Sequence, residues 1–271
     1  MEKRKLLKVS PLTVAAVQMN VELGDKKKNL RTAEKLIDSS KREINFYVLP
    51  ELFTTGYNLR LAHEWAEPIP GHTTDVPAEL AMSHRTYLIG SFLEAVEDAK
   101  PKNTCVVMDP TGKLVAKYSK IHLFRLANEH VFLSAGDSVT DFESNFGKMG
   151  LIICYDIRFP ELTRTLALRG VKIMFVPAEW PNPRKHPWRT LVQARAIENQ
   201  CFVVGANRVG SDGENEFFGN SMVVNPNGEI ISEGGQSEGL VLGEVDLSVV
   251  EKARNHMTCY ADRRPGLYLL T

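Results

Sequence analysis

Three passages of the chain each run from an apolar stretch into a side chain able to do chemistry. Tyr47-Val-Leu-Pro-Glu51 ends on a carboxylate, Leu114-Val-Ala-Lys-Tyr-Ser-Lys120 on an ammonium, and Gly150-Leu-Ile-Ile-Cys154 on a thiol. Each has an ordinary structural reading. Glu51 after Pro50 can cap a turn, lysines normally sit at the surface, and a cysteine behind three apolar residues is normally an inert core thiol. Together they form a coherent reaction set. A thiolate is a nucleophile. A carboxylate can take the thiol proton and later return it to a leaving amine. An ammonium and the backbone N–H after the cysteine can hold the oxyanion of a tetrahedral intermediate. The sum is acyl transfer through a thioester, and it needs no histidine, unlike the papain-like proteases. The chain has neither HExxH nor paired histidines at ligand spacing, so no metal and no cofactor is expected.

For these residues to meet, they must lie where loops leave the carboxyl ends of strands, the usual place for ligand sites in α/β proteins. Leu12–Met19 and Asn45–Leu49 read as strands around a helix over Asn29–Arg42, whose Leu30, Ala33, Leu36 and Ile37 recur at helical spacing. That is a βαβ unit with parallel strands. Tyr87–Val96 and Thr104–Met108 are strand-like, and Asp109-Pro-Thr-Gly112 turns the chain into Leu114–Tyr118. Met149–Cys154, Lys172–Val176 and Cys201–Ala206 read as strands separated by helices over Pro160–Arg169 and Pro187–Asn199, the second turning Leu191, Val192, Ala194 and Ile197 inward. Asn225-Pro-Asn-Gly228 closes a hairpin of Ser221–Val224 with Glu229–Ser232, and Leu240–Val245 is the last strand. The pattern predicts about ten to twelve strands and about four to six helices. Hairpins mixed with βαβ units predict mixed sheets. Continuously apolar strands need cover on both faces, which two sheets packed face to face with helices outside would supply. No Pro/Gly cluster marks a linker, so residues 1–271 read as a single domain. Its polar tail, 251–271, is a candidate for a subunit interface.

Pro-Glu51-Leu-Phe-Thr-Thr-Gly-Tyr, Tyr-Ser-Lys120-Ile-His-Leu-Phe and Cys154-Tyr-Asp-Ile-Arg-Phe-Pro-Glu-Leu resemble the Glu, Lys and Cys motifs of the nitrilase, or carbon–nitrogen hydrolase, superfamily. The resemblance runs from about Thr13 to about Asp246 and implies a four-layer α-β-β-α sandwich of two mixed sheets. It implies Cys154 as nucleophile, Glu51 as general base and then general acid, Lys120 as oxyanion stabiliser and Tyr155 as the backbone N–H donor to the oxyanion. The stretch from Leu123 to Asp137 resembles the family's loop after the lysine. It puts Glu129 at the place of a second glutamate that orients Lys120 and the leaving nitrogen. Within the superfamily, His122–His130, Ala178–Arg184, Ala194–Cys201 and Asn207–Gly213 resemble the ω-amidase branch. That branch hydrolyses 2-oxoglutaramate and 2-oxosuccinamate and releases ammonia. The family's habit of dimerising through helices beside the active site implies a homodimer or higher homo-oligomer. A substrate of this kind carries a carboxylate, which needs a cation besides Lys120. Candidates are Arg125, Arg158, Arg184, Lys185 and Arg189. Arg158 also suits, and by its position favours, an ion pair with Asp156 or Glu161. Phe124 and Trp180 are candidate pocket walls.

Composition narrows the alternatives. Lys plus Arg and Asp plus Glu are each 33, and this balance argues against a nucleic-acid binder. No apolar run reaches the roughly 18 residues that span a membrane. The basic start has no apolar segment behind it and does not read as a secretory leader. Cys105, Cys154, Cys201 and Cys259 form no CxxC pair, which excludes a zinc ribbon or a thioredoxin-type motif. They suit a reduced, cytoplasmic protein, with Cys105 and Cys201 in the core. The alternatives are another nitrilase-superfamily hydrolase, acting on N-carbamoyl compounds or nitriles, and a non-catalytic scaffold, which the intact Glu51, Lys120 and Cys154 disfavour.

Overall fold

Side chains on a strand point alternately to its two faces. Here that alternation divides nearly every central strand between two apolar layers. The computed structural model describes residues 11–268. The basic start and residues 269–271 of the expected tail lie outside the described residues. One sheet contains β1 (Leu12–Gln18), β2 (Phe46–Val48), β3 (Tyr87–Glu94), β4 (Lys102–Met108) and β5 (Leu114–Ser119), and the last strand, β14 (Gly239–Val245), joins it in the order β14-β1-β2-β3-β4-β5. The other contains β6 (Asp141–Ser144), β7 (Gly147–Leu151), β8 (Ile173–Ala178), β9 (Phe202–Asn207), β12 (Met222–Val224) and β13 (Ile230–Glu233) in the order β13-β12-β9-β8-β7-β6. A separate hairpin pairs β10 (Val209–Ser211) with β11 (Glu216–Phe218). Each large sheet has a parallel core, β1-β2-β3 in one and β7-β8-β9 in the other, with antiparallel strands outside it.

Val14, Ala16, Phe46, Val48 and Ile89 face the second sheet and share one core with Met149, Ile173, Phe175 and Val204. Phe46 and Phe175 meet across the interface with ring centroids 5.1 Å apart. The intervening residues, Ala15, Val17, Tyr47 and Leu88, turn the other way. They pack on α1 (Lys26–Asp38) and α3 (His72–His84) through Ala33, Ile37, Leu80 and Ala81. Outside the second sheet lie α5 (Pro160–Leu168) and α6 (Lys185–Asn199). Gly205 on β9 admits Trp188 of α6, since a Cβ there would stand 2.8 Å from the indole ring. α2 (Ala62–Trp65) and α4 (Glu129–Phe132) are single turns. α7 (Ser248–His256) is tied back by Gln200 Nε2, which donates to the carbonyls of Ala253 and Met257. The expected α-β-β-α layering is the observed one. No helix among the described residues is long and apolar enough to cross a membrane.

Several local expectations fail for identifiable reasons. The described residues hold fourteen strands and seven α-helices, more than expected, because β10, β11, α2 and α4 are too short to show a period. α3 escapes notice because Pro77 lies inside it and its apolar residues form no clear stripe. α6 starts two residues earlier than expected. Pro187 occupies its first turn, where a missing N–H costs no helical bond. Its inner face is Trp188, Val192, Arg195, Ala196 and Asn199, while Ile197 is exposed. The strand expected to run through Cys154 ends at Leu151.

The Phe46–Phe175 contact lies at the centre of the inter-sheet core. Phe46→Ala is therefore expected to lower the unfolding free energy by about 3–5 kcal/mol, the usual cost of truncating a buried Phe. Chemical denaturation at constant slope checks this.

Candidate active site

The three reactive residues sit where strands stop. Glu51 is three residues past β2, and the following Leu52 takes a left-handed φ of 42°. Its N–H is held by Ser91 Oγ at 2.8 Å. Lys120 directly follows β5, and its N–H donates to Asn103 O at 2.8 Å. Cys154 is three residues past β7 with φ 43°, a strained setting for a non-glycine residue. The pairing of β7 ends at Leu151, the chain stays extended at Ile153, and a 3-10 turn, Cys154–Arg158, begins at the left-handed residue. Asp156 clamps the turn. Its carboxylate accepts from Ile153 N at 3.0 Å, Tyr118 OH at 2.7 Å, and His122 N and Nδ1 at 3.0 and 2.8 Å. One buried carboxylate thus ties the nucleophile's turn, in one sheet, to the segment around Lys120, in the other.

Glu51, Lys120 and Glu129 form one buried cluster. Lys120 Nζ donates to Glu51 Oε1 and to Glu129 Oε1, both at 2.7 Å, and to Tyr57 OH at 3.1 Å, which uses all three of its protons. Glu51 Oε1 also accepts from Asn103 Nδ2 at 2.8 Å and Tyr57 OH at 2.9 Å, while its Oε2 accepts from Glu179 N at 3.1 Å. Glu129 accepts from Tyr57 OH, and its Oε2 from Phe124 N at 2.7 Å. The structure therefore brings Glu51, Lys120 and Glu129 together as expected. Tyr57 and Asn103 complete the cluster and were missed. Tyr57 lies in the quoted Glu51 motif, so its position there was an available signal; Asn103 had none.

The charges decide the resting state. Burial opposes charge on Lys120, but Glu129 and Glu51 more than offset it and hold its pKa well above the ordinary range. Burial raises Glu129, against the pull of Lys120. Burial also raises Cys154 well above a free thiol, and the negative charge of Glu51 adds to this. Cys154 accordingly rests as a thiol.

A cavity of about 600 Å³ opens onto Cys154 and Lys120. Tyr155, Phe124, Arg158 and Trp180 all line it. Tyr155, the expected backbone donor, is the second residue of the 3-10 turn, and its ring leans on Phe124 at 4.9 Å. Arg158 pairs with neither Asp156 nor Glu161 among the described ion pairs. Its guanidinium lies over Trp180, 4.8 Å from the ring centroid, because Asp156 is already saturated by other donors. Of the other candidate cations, Arg184 lines the cavity above Phe124, at 5.6 Å, while Arg189 is drawn off by Glu233. Arg125 and Lys185 do not line it. Arg60 does, although the sequence gave no reason to choose it. Cys105 and Cys201 are buried core thiols, as expected, and Cys259 is exposed.

Residues 13–255 match the carbon–nitrogen hydrolase family. The chain is 37% identical to the 2-oxoglutaramate amidase of Bacillus subtilis over 94% of its length and 99% of that protein's. It is 32% identical to the omega-amidase NIT2 of Homo sapiens, covering 94% of this chain and 96% of that one. Among solved structures it resembles Nit3 of Saccharomyces cerevisiae, described as a member of branch 10 of the nitrilase superfamily. The TM-score is 0.87 and the identity 30%, over 94% of this chain and 97% of that chain.

The electrostatics make a prediction independent of any substrate. Because Glu51 raises the Cys154 thiol, Glu51→Gln is expected to move the pH midpoint of Cys154 alkylation downward. Peptide mapping of iodoacetamide labelling against pH measures it; an unchanged or higher midpoint contradicts the charge balance.

Proposed function

The chain belongs to the carbon–nitrogen hydrolase family, as a hydrolase acting on amides, and on that premise we propose that it is an ω-amidase. It removes the terminal amide of a small 2-oxo dicarboxylic acid, of the 2-oxoglutaramate or 2-oxosuccinamate kind, as ammonia. The observation that carries the reading is the buried Glu51–Lys120–Glu129 cluster, whose Lys120 lines the cavity together with Cys154, Arg158 and Arg184. Likeness to the 2-oxoglutaramate amidase and to the omega-amidases supports the choice of substrate.

The chemistry follows from the charges. Glu51 takes the Cys154 proton as the sulfur attacks the amide carbon, so no free thiolate need form in this electronegative site. The carbonyl oxygen gains the charge and is met by the Tyr155 N–H and the Lys120 ammonium. Glu51 then passes its proton to the nitrogen, the C–N bond breaks and ammonia leaves a thioester on Cys154. Water, deprotonated by Glu51, adds to the thioester. Collapse returns the thiol and releases the carboxylic acid. Glu129 holds Lys120 between the two carboxylates and fixes its direction. Arg158 and Arg184 receive the substrate's carboxylate, with Phe124 and Trp180 stacking beneath the guanidiniums. A single domain, a homodimeric or higher homo-oligomeric state and a cytoplasmic setting belong to the same reading. The unbroken double-sheet core supports the first, the likeness to the family the second and the absence of paired cysteines among the described residues the third.

Ammonia release is expected from 2-oxoglutaramate or 2-oxosuccinamate in preference to glutamine, asparagine, N-carbamoyl amino acids and a simple nitrile. Cys154→Ala should lower the rate by at least about 10⁴-fold, the scale seen when a covalent nucleophile is removed. Turnover of only carbamoyl compounds or nitriles would reassign the branch. Arg158→Gln and Arg184→Gln should each raise KM about tenfold for the 2-oxo amide, as loss of a charge-assisted hydrogen bond does. They should leave an uncharged amide such as propionamide nearly unchanged; equal effects on both substrates would remove the arginines from carboxylate binding.

A further inference from the structure

Glu179, at the end of β8, is buried and lines the same cavity, yet the chemistry above gives its side chain no task. Its Oε2 accepts from Arg208 Nη1 at 3.0 Å. Its Oε1 has no hydrogen-bond partner. Arg208 Nη2 is committed to Val21 O and Ser211 O, its guanidinium lies over Phe217 at 4.3 Å, and its Nε, also without a partner, does not bond that oxygen. A buried acceptor without a donor is costly and calls for a reason. Burial raises the carboxyl to about 7, against the pull of Arg208, which marks an unmet demand for a donor.

The scissile amide has a matching need. A primary amide brings two N–H groups, and the base that protonates its nitrogen is Glu51, whose Oε2 is bonded by the main-chain N–H of Glu179 itself. The nitrogen therefore departs beside Glu179. The other carboxylates nearby are already engaged. Glu51 Oε1 and Glu129 Oε1 are shared between Lys120 and Tyr57, Glu129 Oε2 takes Phe124 N, and both Asp156 oxygens take two donors each. Among the described residues lining the cavity, Glu179 Oε1 is the buried carboxylate oxygen with no hydrogen bond. Glu179 and Lys120 both line the cavity that opens onto Cys154.

We propose that Glu179 is the leaving-group subsite, its free Oε1 accepting an N–H of the scissile primary amide and so selecting amides over isosteric esters. The inference rests on the amidase reading above.

The test compares two substrates with the same acyl group, the ω-amide of 2-oxoglutarate and its ω-methyl ester, which gives the same thioester but brings no N–H. In Glu179→Gln the side-chain carbonyl stays with Arg208, so the substrate meets an NH₂ group where it met an acceptor. The value of kcat/KM for the amide should fall about 10- to 100-fold, the scale of a lost hydrogen bond to a charged group. The ester should change less than about threefold on the same scale. Glu179→Asp keeps the charge and the Arg208 pair but shortens the reach, and should show a smaller loss confined to the amide. It carries the test if Glu179→Gln does not fold. A parallel loss on both substrates makes Glu179 a structural prop and overturns the proposal, as does an unchanged amide rate. Wild-type protein that cleaves the ester through Cys154 but releases no ammonia from any amide would instead sink the amidase reading, and the subsite with it.

Discussion

The Lys120 ammonium, shut away from water between the Glu51 and Glu129 carboxylates, is the constraint on which the rest of the site depends. Moving three ionised groups into a protein interior is expensive, and only close pairing with every proton and lone pair engaged makes it tolerable. Lys120 meets that demand with three donors to three acceptors, Tyr57 and Asn103 add donors to the same oxygens, and the N–H groups of Glu179 and Phe124 take the oxygens that Lys120 does not reach. Removal of any one partner would leave a buried charge uncompensated. The same closure sets the reactivity. Burial, with Glu51 beside it, keeps the Cys154 sulfur protonated at rest, as the proposed chemistry requires.

Such a cluster needs a frame that does not yield, because the electrostatic gain is lost within small displacements. The frame is the pair of sheets. Glu51 and Lys120 leave one, Cys154 leaves the other, and the close-packed core around Phe46 and Phe175 fixes the distance between them. Asp156 locks the join with hydrogen bonds from both sides of it. The left-handed turns at Leu52 and Cys154 are part of this arrangement. Each lies a few residues past a strand and redirects the chain there, strain that a rigid scaffold can carry. Fixed donors and acceptors, set before substrate binds, avoid reorganisation during the reaction.

The cavity wall continues the same logic with a different balance. Arg158 and Arg184 rest on the faces of Trp180 and Phe124, which leaves their charge free of carboxylate partners among the described residues. Arg208, by contrast, is fully buried and committed to Glu179 and to backbone carbonyls. Cations that are stacked but unpaired suit an anionic ligand, whereas one already paired with a carboxylate holds its neighbour in place.

The sequence by itself determined the family and the layered fold, and it named four polar residues that the structure places around one cavity. Those rest on local order: apolar strands of the right period, turn signals between them, and Glu51, Lys120, Cys154 and Glu129 embedded in recognisable stretches. Element edges were less legible where the chain departs from regular conformation. The pairing of β7 ends at Leu151, short of the left-handed Cys154, and Pro77 inside α3 hides a helix, because neither backbone choice follows from side-chain periodicity. Only the tertiary structure decided which polar residues share charge. Tyr57, Asn103 and Asp156 enter the site because sheet packing brings distant segments within hydrogen-bond reach. Arg158 faces the cavity because Asp156 already has its donors. Pairing across a fold depends on which groups are left unsatisfied after every other contact is made, and a linear sequence does not carry that sum.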